Sequence, residues 1–512
     1  MREYFLGIDL GTTACKALLV NSECEEISEG SAEYLVIQPG PNQQELDFDD
    51  VWRGMIKAVR QALKGIDKKS VLAIGFSSMM HGFMPVDKNH QPLCRMLTWA
   101  DGRAMAQAQL LKEILNEKDV YKRTGCPLTA LYYPARILWL KENQPEIFSK
   151  TSKFVSIKDA ILFRLTGRWV IDKSHASSNG LLDIHLLKWH KPLFPALKIE
   201  PEKFPELVEP EEPVGTLCAE SAKTLGLPEG ILVIPGAGDG GLANLGSGAV
   251  EMNQVAVTIG TSGAARKVLI KPWLNPDAST WLYYLGNKHW YAGGAINSGG
   301  IVLRWLRDSL LSHLRDRALL KKQEPYSEII KLAMTAPPGA DGLIFLPYIF
   351  GERTPYWNPD ARGVFFGISP HHTQAHFARA VLEGITLAIC NVLSLLEKSP
   401  GDIREIRASG GLSRSEAWLK LLADMTGMQV VAPKTSQGSA MGAAIMAMLG
   451  SGRIKSLKES ARMIKVEKKF EPDLKKTAFY QEQLLFFKNL YEHLEKHFSR
   501  LKKIQNWTGR GF

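Results

Sequence analysis

The sequence predicts an α/β protein built from two related halves. Three observations predict it. Short apolar runs with strand character alternate with helical patterns along the chain. One hairpin pattern, apolar strand, Gly-Thr-Thr/Ser, apolar strand, occurs twice at an offset of 249 residues. The chain, at 512 residues, is too long for one ordinary core.

The alternation starts at once. Tyr4–Ile8 and Lys16–Val20 read as strands. "LDFDDVWRGMIKAVRQALKG" then places Val51, Met55, Ile56, Val59 and Leu63 at helical spacing behind acidic residues. "VLAIGFSS" is a short buried-type strand, and "TGCPLTALYYPARILWLKENQPEIF" predicts a helix ending near Asn143. "ILVIPGAGDGGLANLG" predicts a strand, a Gly-rich turn and a run of small residues. The repeat pairs "LGIDLGTTACKALLV" from Leu6 with "AVTIGTSGAARKVLI" from Ala256, so that Gly11 falls on Gly260, Thr12 on Thr261 and Thr13 on Ser262. One copy near the start of each half predicts domains 1–245 and 246–512 facing each other across a cleft.

Composition excludes several classes. Hydrophobic residues make up 45% and charged residues 23%, the values of a soluble globular chain. The net charge is +10, but the lysines and arginines are spread out with no basic block interleaved by aromatics, so no nucleic-acid partner is expected. No stretch approaches about 18 apolar residues, so no membrane span is expected. Six cysteines without a CxxC pair, and an N-terminus unlike a signal peptide, predict a reduced, cytoplasmic protein.

The two turns carry the first chemistry. Backbone N–H groups and hydroxyls in a tight glycine turn suit phosphate oxygens, so Gly11, Thr12 and Thr13 would hold one end of a polyphosphate and Gly260, Thr261 and Ser262 the other. Neither a GxxxxGK[ST] loop nor a strand-GxGxxG-helix unit is present. Asp9, just before the first turn, would repel a phosphate unless a cation lay between them; Mg²⁺ resolves the conflict, whereas a plain turn-capping Asp is the alternative. His372 and His376 stand four apart on an expected helix, but without a third ligand or an HExxH motif they read as a surface or core feature. The stretch "KKTAFYQEQLLFFKNLYEHLEKHFSRLKK" predicts a packed terminal helix.

Taken together, "GIDLGTTACK", "SSMMHGFMPVD", "TWADGR", "GAGDGGLANLG", "TIGTSG", "LPYIFGERTPYWNPDARGVFFGI" and "SGGLSRSEAW" resemble the FGGY family of carbohydrate kinases, within the actin-like, ribonuclease H-like ATPases. Gly363 to Glu383 fits the family's C-terminal signature. The earlier signature, around "YYPARILWLKEN", departs at two places: Arg136 stands where lysine is usual, and Tyr133 where a small residue or proline is usual. The resemblance implies two actin-like domains related by duplication, with ATP as co-substrate, Mg²⁺ held by Asp9 and Asp239, and a dimer at the level of the family.

Residue by residue, the resemblance implies that Asp239 takes the proton from the attacking sugar hydroxyl and that Met80 and His81 lie in the sugar site. Trp99 offers that site an apolar wall, Asp101 a hydroxyl acceptor and Arg103 an anion partner, the alternative being an internal Asp101–Arg103 pair. Gly300 and Arg304 would border the nucleotide, and Gly410, Gly411 and Ser415 the adenosine. "MMHGFMPVD", "LTWADGRA" and "VSIKDAILFRLTG" look most like the gluconate-phosphorylating branch, with xylulose kinases the near neighbour sharing the Met-His pair. An ATP-binding switch of actin or chaperone type is the alternative of another class; it would need neither the two sugar stretches nor the C-terminal signature.

Overall fold

The computed structural model describes residues 3–435 and 437–508, and its chain separates into two compact units. Unit 1 comprises Met1–Glu251, Val268–Ala292 and Gln437–Lys465; unit 2 comprises Met252–Lys267, Gly293–Ser436 and Val466–Phe512.

Unit 1 is organised by a six-stranded sheet. Its order is Gly215–Thr216, Leu232–Gly238, Val71–Ser78, Tyr4–Leu10, Ala14–Asn21, Glu26–Glu33. Tyr4–Leu10 and Ala14–Asn21 form an antiparallel hairpin with Asp9 opposite Lys16. Val71–Ser78 runs parallel to Tyr4–Leu10 with Ser77 beside Asp9, and Leu232–Gly238 continues the parallel set with Gly238 beside Ser78. The hairpin is longer than its apolar run predicts, and Asp9 belongs to the strand rather than following it.

The helix Phe48–Ala62 covers one face. Asp47 caps it by accepting from the Asp49 and Asp50 amides, and Val51, Met55, Ala58, Val59 and Ala62 are buried. The other face is covered from far along the chain, by Gly438–Gly450. A Cβ on Gly7 would stand 1.9 Å from the Ala440 carbonyl oxygen, and one on Gly75 2.0 Å from that of Ala443, so both central strands need glycine for the helix to seat.

A second, seven-stranded sheet repeats the order. Trp281–Gly286, His289–Ile296, Gly263–Leu269, Gln254–Ile259, Glu405–Gly410, Gln429–Pro433 and Val466–Phe470 are successive neighbours. Gln254–Ile259 and Gly263–Leu269 form the antiparallel hairpin; Glu405–Gly410 and Gln429–Pro433 are parallel to its first strand, and Val466–Phe470 is antiparallel at the edge. The duplication read from two short hairpins therefore extends through six strands of each sheet.

Three local expectations change. "GAGDGG" is no loose turn: the strand runs to Gly238, and Asp239 opens the helix Asp239–Ser247. His372 and His376 do not share a helix, because it starts at Gln374 behind a Thr373–His376 capping box. That helix, Gln374–Leu396, is long and apolar enough to cross a membrane, contrary to the expectation from the sequence, although 89% of its most apolar window is buried in the protein. Its Arg379 and Glu383 pair at 2.6 Å, and the Tyr480 hydroxyl donates to Glu383 at 2.7 Å. Tyr480 belongs to the terminal helix Leu474–Thr508, which also buries Phe487, Tyr491 and Phe498; residues 509–512 of the expected second half lie outside the described residues.

Candidate active site

In unit 1 the candidate residues collect where the parallel strands end, the edge at which open α/β sheets bind ligands. Asp9 accepts a hydrogen bond from the Ser77 hydroxyl at 2.7 Å. Burial, and after it the charge of Asp239, raise its pKa to about 6 against the opposing Ser77 hydrogen bond and Lys16 charge. Asp9 and Asp239 are thus close enough to repel. Asp239 remains partly exposed although residues on both sides of it are buried. Its Oδ1 accepts the Gly240 amide at 2.7 Å, and its carbonyl accepts the Ser439 hydroxyl at 3.2 Å. Beneath it the fully buried Lys158 pairs with Asp172 at 2.7 Å and donates to the Ala237 carbonyl at 3.3 Å, fixing the strand end that presents Asp239. Two carboxylates at one sheet edge, one raised in pKa by the other, are a donor set that suits a hard divalent cation.

The turn Gly11–Thr13 is held by backbone and by side chains: the Gly11 amide donates to the Ala14 carbonyl and the Tyr34 amide to the Thr13 carbonyl, each at 3.1 Å. The Tyr34 hydroxyl donates to the Gly11 carbonyl, the Trp99 indole donates to Thr12 Oγ1 at 3.0 Å, and Thr12 Oγ1 donates to Met79 Sδ at 3.7 Å. Thr13 is exposed. Thr12, expected to face a phosphate, directs its hydroxyl to protein partners.

Met80 and His81 follow the strand Val71–Ser78. His81 sits in the left-handed region at φ +64°, and its Nδ1 bonds the Ser178 carbonyl at 2.7 Å; since a carbonyl only accepts, that bond puts a proton on Nδ1. The ring meets Tyr132 and Tyr283 edge-on at 5.4 and 6.0 Å, and those two hydroxyls bond each other at 2.8 Å. Met80 Sδ accepts from the Tyr291 hydroxyl at 3.3 Å, and Met80 packs beside Gly238, next to Asp239.

Of the two readings of Asp101 and Arg103, the internal pair forms. Arg103 Nη2 donates to Asp101 Oδ2 at 2.7 Å and to Glu45 Oε1 at 2.8 Å, and the guanidinium lies 5.0 Å over Trp139. Asp101 also accepts the Gln44 amide at 2.8 Å. Both side chains are buried, so the cation suggested for an anionic acceptor is already matched by two carboxylates.

In unit 2 the turn Gly260–Ser262 is held by backbone. The Gly260 amide donates to the Ser262 carbonyl at 2.9 Å, the Gly300 amide to the Gly260 carbonyl at 2.7 Å and the Ile301 amide to the Thr261 carbonyl at 3.0 Å. The buried Glu352 steadies the segment before Gly300 by accepting the Asn297 and Arg353 amides, each at 2.7 Å.

Beside this turn lies a cavity of about 580 Å³, within the range for a nucleotide-sized ligand. Gly260, Thr261, Gly300, Arg304, Gly411 and Ser415 line it, whereas Ser262 and Gly410 do not. Ser415 also caps the helix Glu416–Thr426 through the Trp418 amide at 3.3 Å. Leu303, Tyr326 and Ile330, outside the quoted motifs, supply apolar walls with Trp418, the last residue of "SGGLSRSEAW"; Ser77 and Glu352 stand inside quoted motifs that gave them no role, and Tyr34 stands outside them.

Comparison with known proteins agrees with this layout. Residues 4–246 match the N-terminal domain, and residues 255–451 the C-terminal domain, of the FGGY family of carbohydrate kinases. The chain is 36% identical over 507 residues to a gluconokinase of Bacillus subtilis (strain 168), covering 99% of both chains. It is 30% identical to a xylulose kinase of Staphylococcus epidermidis, covering 99% of this chain and 100% of that one. The crystal structure of a gluconate kinase from Lactobacillus acidophilus superposes with a TM-score of 0.92 at 31% identity, over 98% of this chain and 100% of that one. From two domain matches that together span most of its length, and from relatives alike from end to end, this chain belongs to the FGGY family of carbohydrate kinases and is an ATP-dependent sugar kinase.

Proposed function

We propose that this kinase phosphorylates D-gluconate at its terminal hydroxyl, giving 6-phospho-D-gluconate and ADP. The observation that carries the chemistry is Asp239, a partly exposed carboxylate at the junction of a buried strand and a buried helix. The hydroxyl oxygen attacks the γ-phosphorus in line, the bond from that phosphorus to the β-phosphate oxygen breaks, ADP leaves with the electron pair, and Asp239 takes the hydroxyl proton. Met80, His81 and Trp99 border the acceptor, in the half 1–245, with Asp101 behind them in its pair with Arg103. Gly260, Thr261, Gly300, Arg304, Gly411 and Ser415 border the nucleotide, in the half 246–512.

Kinases of this family use a divalent metal with ATP. Mg²⁺ is the ion proposed here: Asp9 and Asp239 would hold it, and it would neutralise phosphate charge that the two carboxylates otherwise oppose. The gluconate reading is supported by the gluconokinase relative, more alike than the xylulose kinase. With Arg103 already paired, the carboxylate of gluconate would be met by hydrogen-bond donors rather than by that cation. A cytoplasmic setting is supported by the six free cysteines, four of them buried.

An ADP-release assay across gluconate, xylulose, ribulose and glycerol tests the substrate. The expected result is highest kcat/KM on gluconate; turnover of xylulose with none on gluconate overturns the assignment.

A further inference from the structure

The helix Tyr133–Asn143 sends two side chains out of its first turns to the loops that bear the acceptor residues. Arg136 is 1% exposed. Among the described residues its guanidinium donates only to backbone carbonyls: Nε to Ala130 at 3.3 Å, Nη1 to His81 and to Leu97 at 3.4 Å, and Nη2 to Thr98 at 2.5 Å. Tyr133, also buried, donates its hydroxyl to the Gly82 carbonyl at 2.5 Å. A buried cation without a direct ion pair is expensive, and burial lowers the pKa of this guanidinium to about 10. Such a group is retained where its donors meet a need that an apolar residue would leave open.

The need is visible in the backbone. Phe83 and Leu97 exchange two ladder hydrogen bonds, at 3.0 and 2.9 Å, and there the pairing ends. Beyond it the chain diverges, one branch to Gly82, His81 and Met80, the other to Thr98, Trp99 and Asp101. Arg136 stands in the fork and bonds a carbonyl on each branch. The planar fork of arginine reaches separated acceptors that a single ammonium cannot reach together.

We propose that Arg136 and Tyr133 are positioning residues, a clasp that sets the separation of the His81 loop from the Trp99–Asp101 loop and thereby selects the acceptor sugar. They are also the two positions at which the chain departs from the usual signature of its family. The inference rests on the acceptor-site reading above but not on gluconate being the acceptor.

The test uses the full-length protein and three variants, Arg136→Met, Arg136→Lys and Tyr133→Phe. KM and kcat are measured on gluconate, xylulose, ribulose and glycerol, and nucleotide affinity by calorimetry. The expected result is a rise in acceptor KM of about tenfold for Arg136→Met and about threefold for Tyr133→Phe. Arg136→Lys falls between wild type and Arg136→Met. The ratio of kcat/KM between gluconate and xylulose shifts by a similar factor, with nucleotide affinity within about twofold of wild type. Wild-type KM and ratio in Arg136→Lys and Tyr133→Phe overturn the clasp. So does a parallel loss of nucleotide affinity and acceptor affinity, which marks general destabilisation. If Arg136→Met does not fold, the two conservative variants decide. If wild type prefers xylulose, the gluconate assignment fails while the clasp is still judged on xylulose.

Discussion

The two Gly-Thr turns share a sequence pattern, a place in their sheets and backbone bonds across the turn, yet they differ in what else braces them. The turn Gly11–Thr13 adds to its backbone bonds three side chains from distant segments: Tyr34 on Gly11, and Trp99 and Met79 on Thr12. The turn Gly260–Ser262 leans on backbone amides of the adjoining Gly300 segment, with Glu352 one step behind. A side-chain brace can respond to what binds beside it, because Trp99 belongs to the proposed acceptor wall; a backbone brace holds one shape. On the proposed function, the first turn would be coupled to the acceptor through Trp99, and the second would hold the nucleotide in one shape.

Breaking the rigid brace is expected to cost most. A Cβ on Gly299 would stand 2.5 Å from the Ser262 backbone carbon, a clash that no rotamer relieves. Gly299→Ala is therefore expected to raise KM for ATP by about tenfold or more, about 1.4 kcal/mol, with a smaller change in acceptor KM. Equal loss on both substrates, measured by steady-state kinetics, would remove the distinction between the turns.

Loosening the adaptable brace should cost less and spread further. Trp99→Phe keeps the apolar wall and deletes the indole N–H. Losing one hydrogen bond of about 1 kcal/mol predicts roughly fivefold increases in KM for both ATP and acceptor. An effect on acceptor alone would show that the bond to Thr12 carries nothing between the sites.

The smallest effect on turnover, and the clearest in pH, is expected at Glu352. Burial raises its pKa to about 8, against the amides of Asn297 and Arg353 and the charge of Arg353, and its Oε2 carries no hydrogen bond. The folded chain then holds a proton that the unfolded chain has lost, so this group reduces stability as pH rises from about 4.5 to about 8 and changes nothing further above that. Glu352→Gln should remove a slope of up to about 1.4 kcal/mol per pH unit within that window. Denaturant unfolding of both proteins between pH 5 and 8 measures it, and parallel pH curves would contradict the assignment.

Much of the fold was legible because its signals are local. Asp9, the glycines and the hydroxyls of both turns stand next to one another in the chain, and the alternation of apolar runs marks each strand. The braces were not legible, because their partners come from afar: Trp99 reaches Thr12, Glu45 takes up Arg103, and Gly438–Gly450 returns to cover the first sheet. The residues "TWADGR" could be read as substrate donors or as an internal pair, and only the arrival of Glu45 and Gln44 shows Asp101 and Arg103 satisfied from within. The apolar walls of the cavity beside Gly260–Ser262 were hidden for the same reason, since Leu303, Tyr326 and Ile330 sit on helices whose patterns would serve equally well for an ordinary core.

The most direct measurement is phosphoryl transfer by Asp239→Asn, with nucleotide affinity determined on the same preparation. The side chain keeps its shape and its bond to the Gly240 amide but loses the capacity to take a proton. A fall in kcat of about a hundredfold or more, with ATP affinity within about twofold, is the predicted outcome. Turnover within tenfold of wild type would contradict the account.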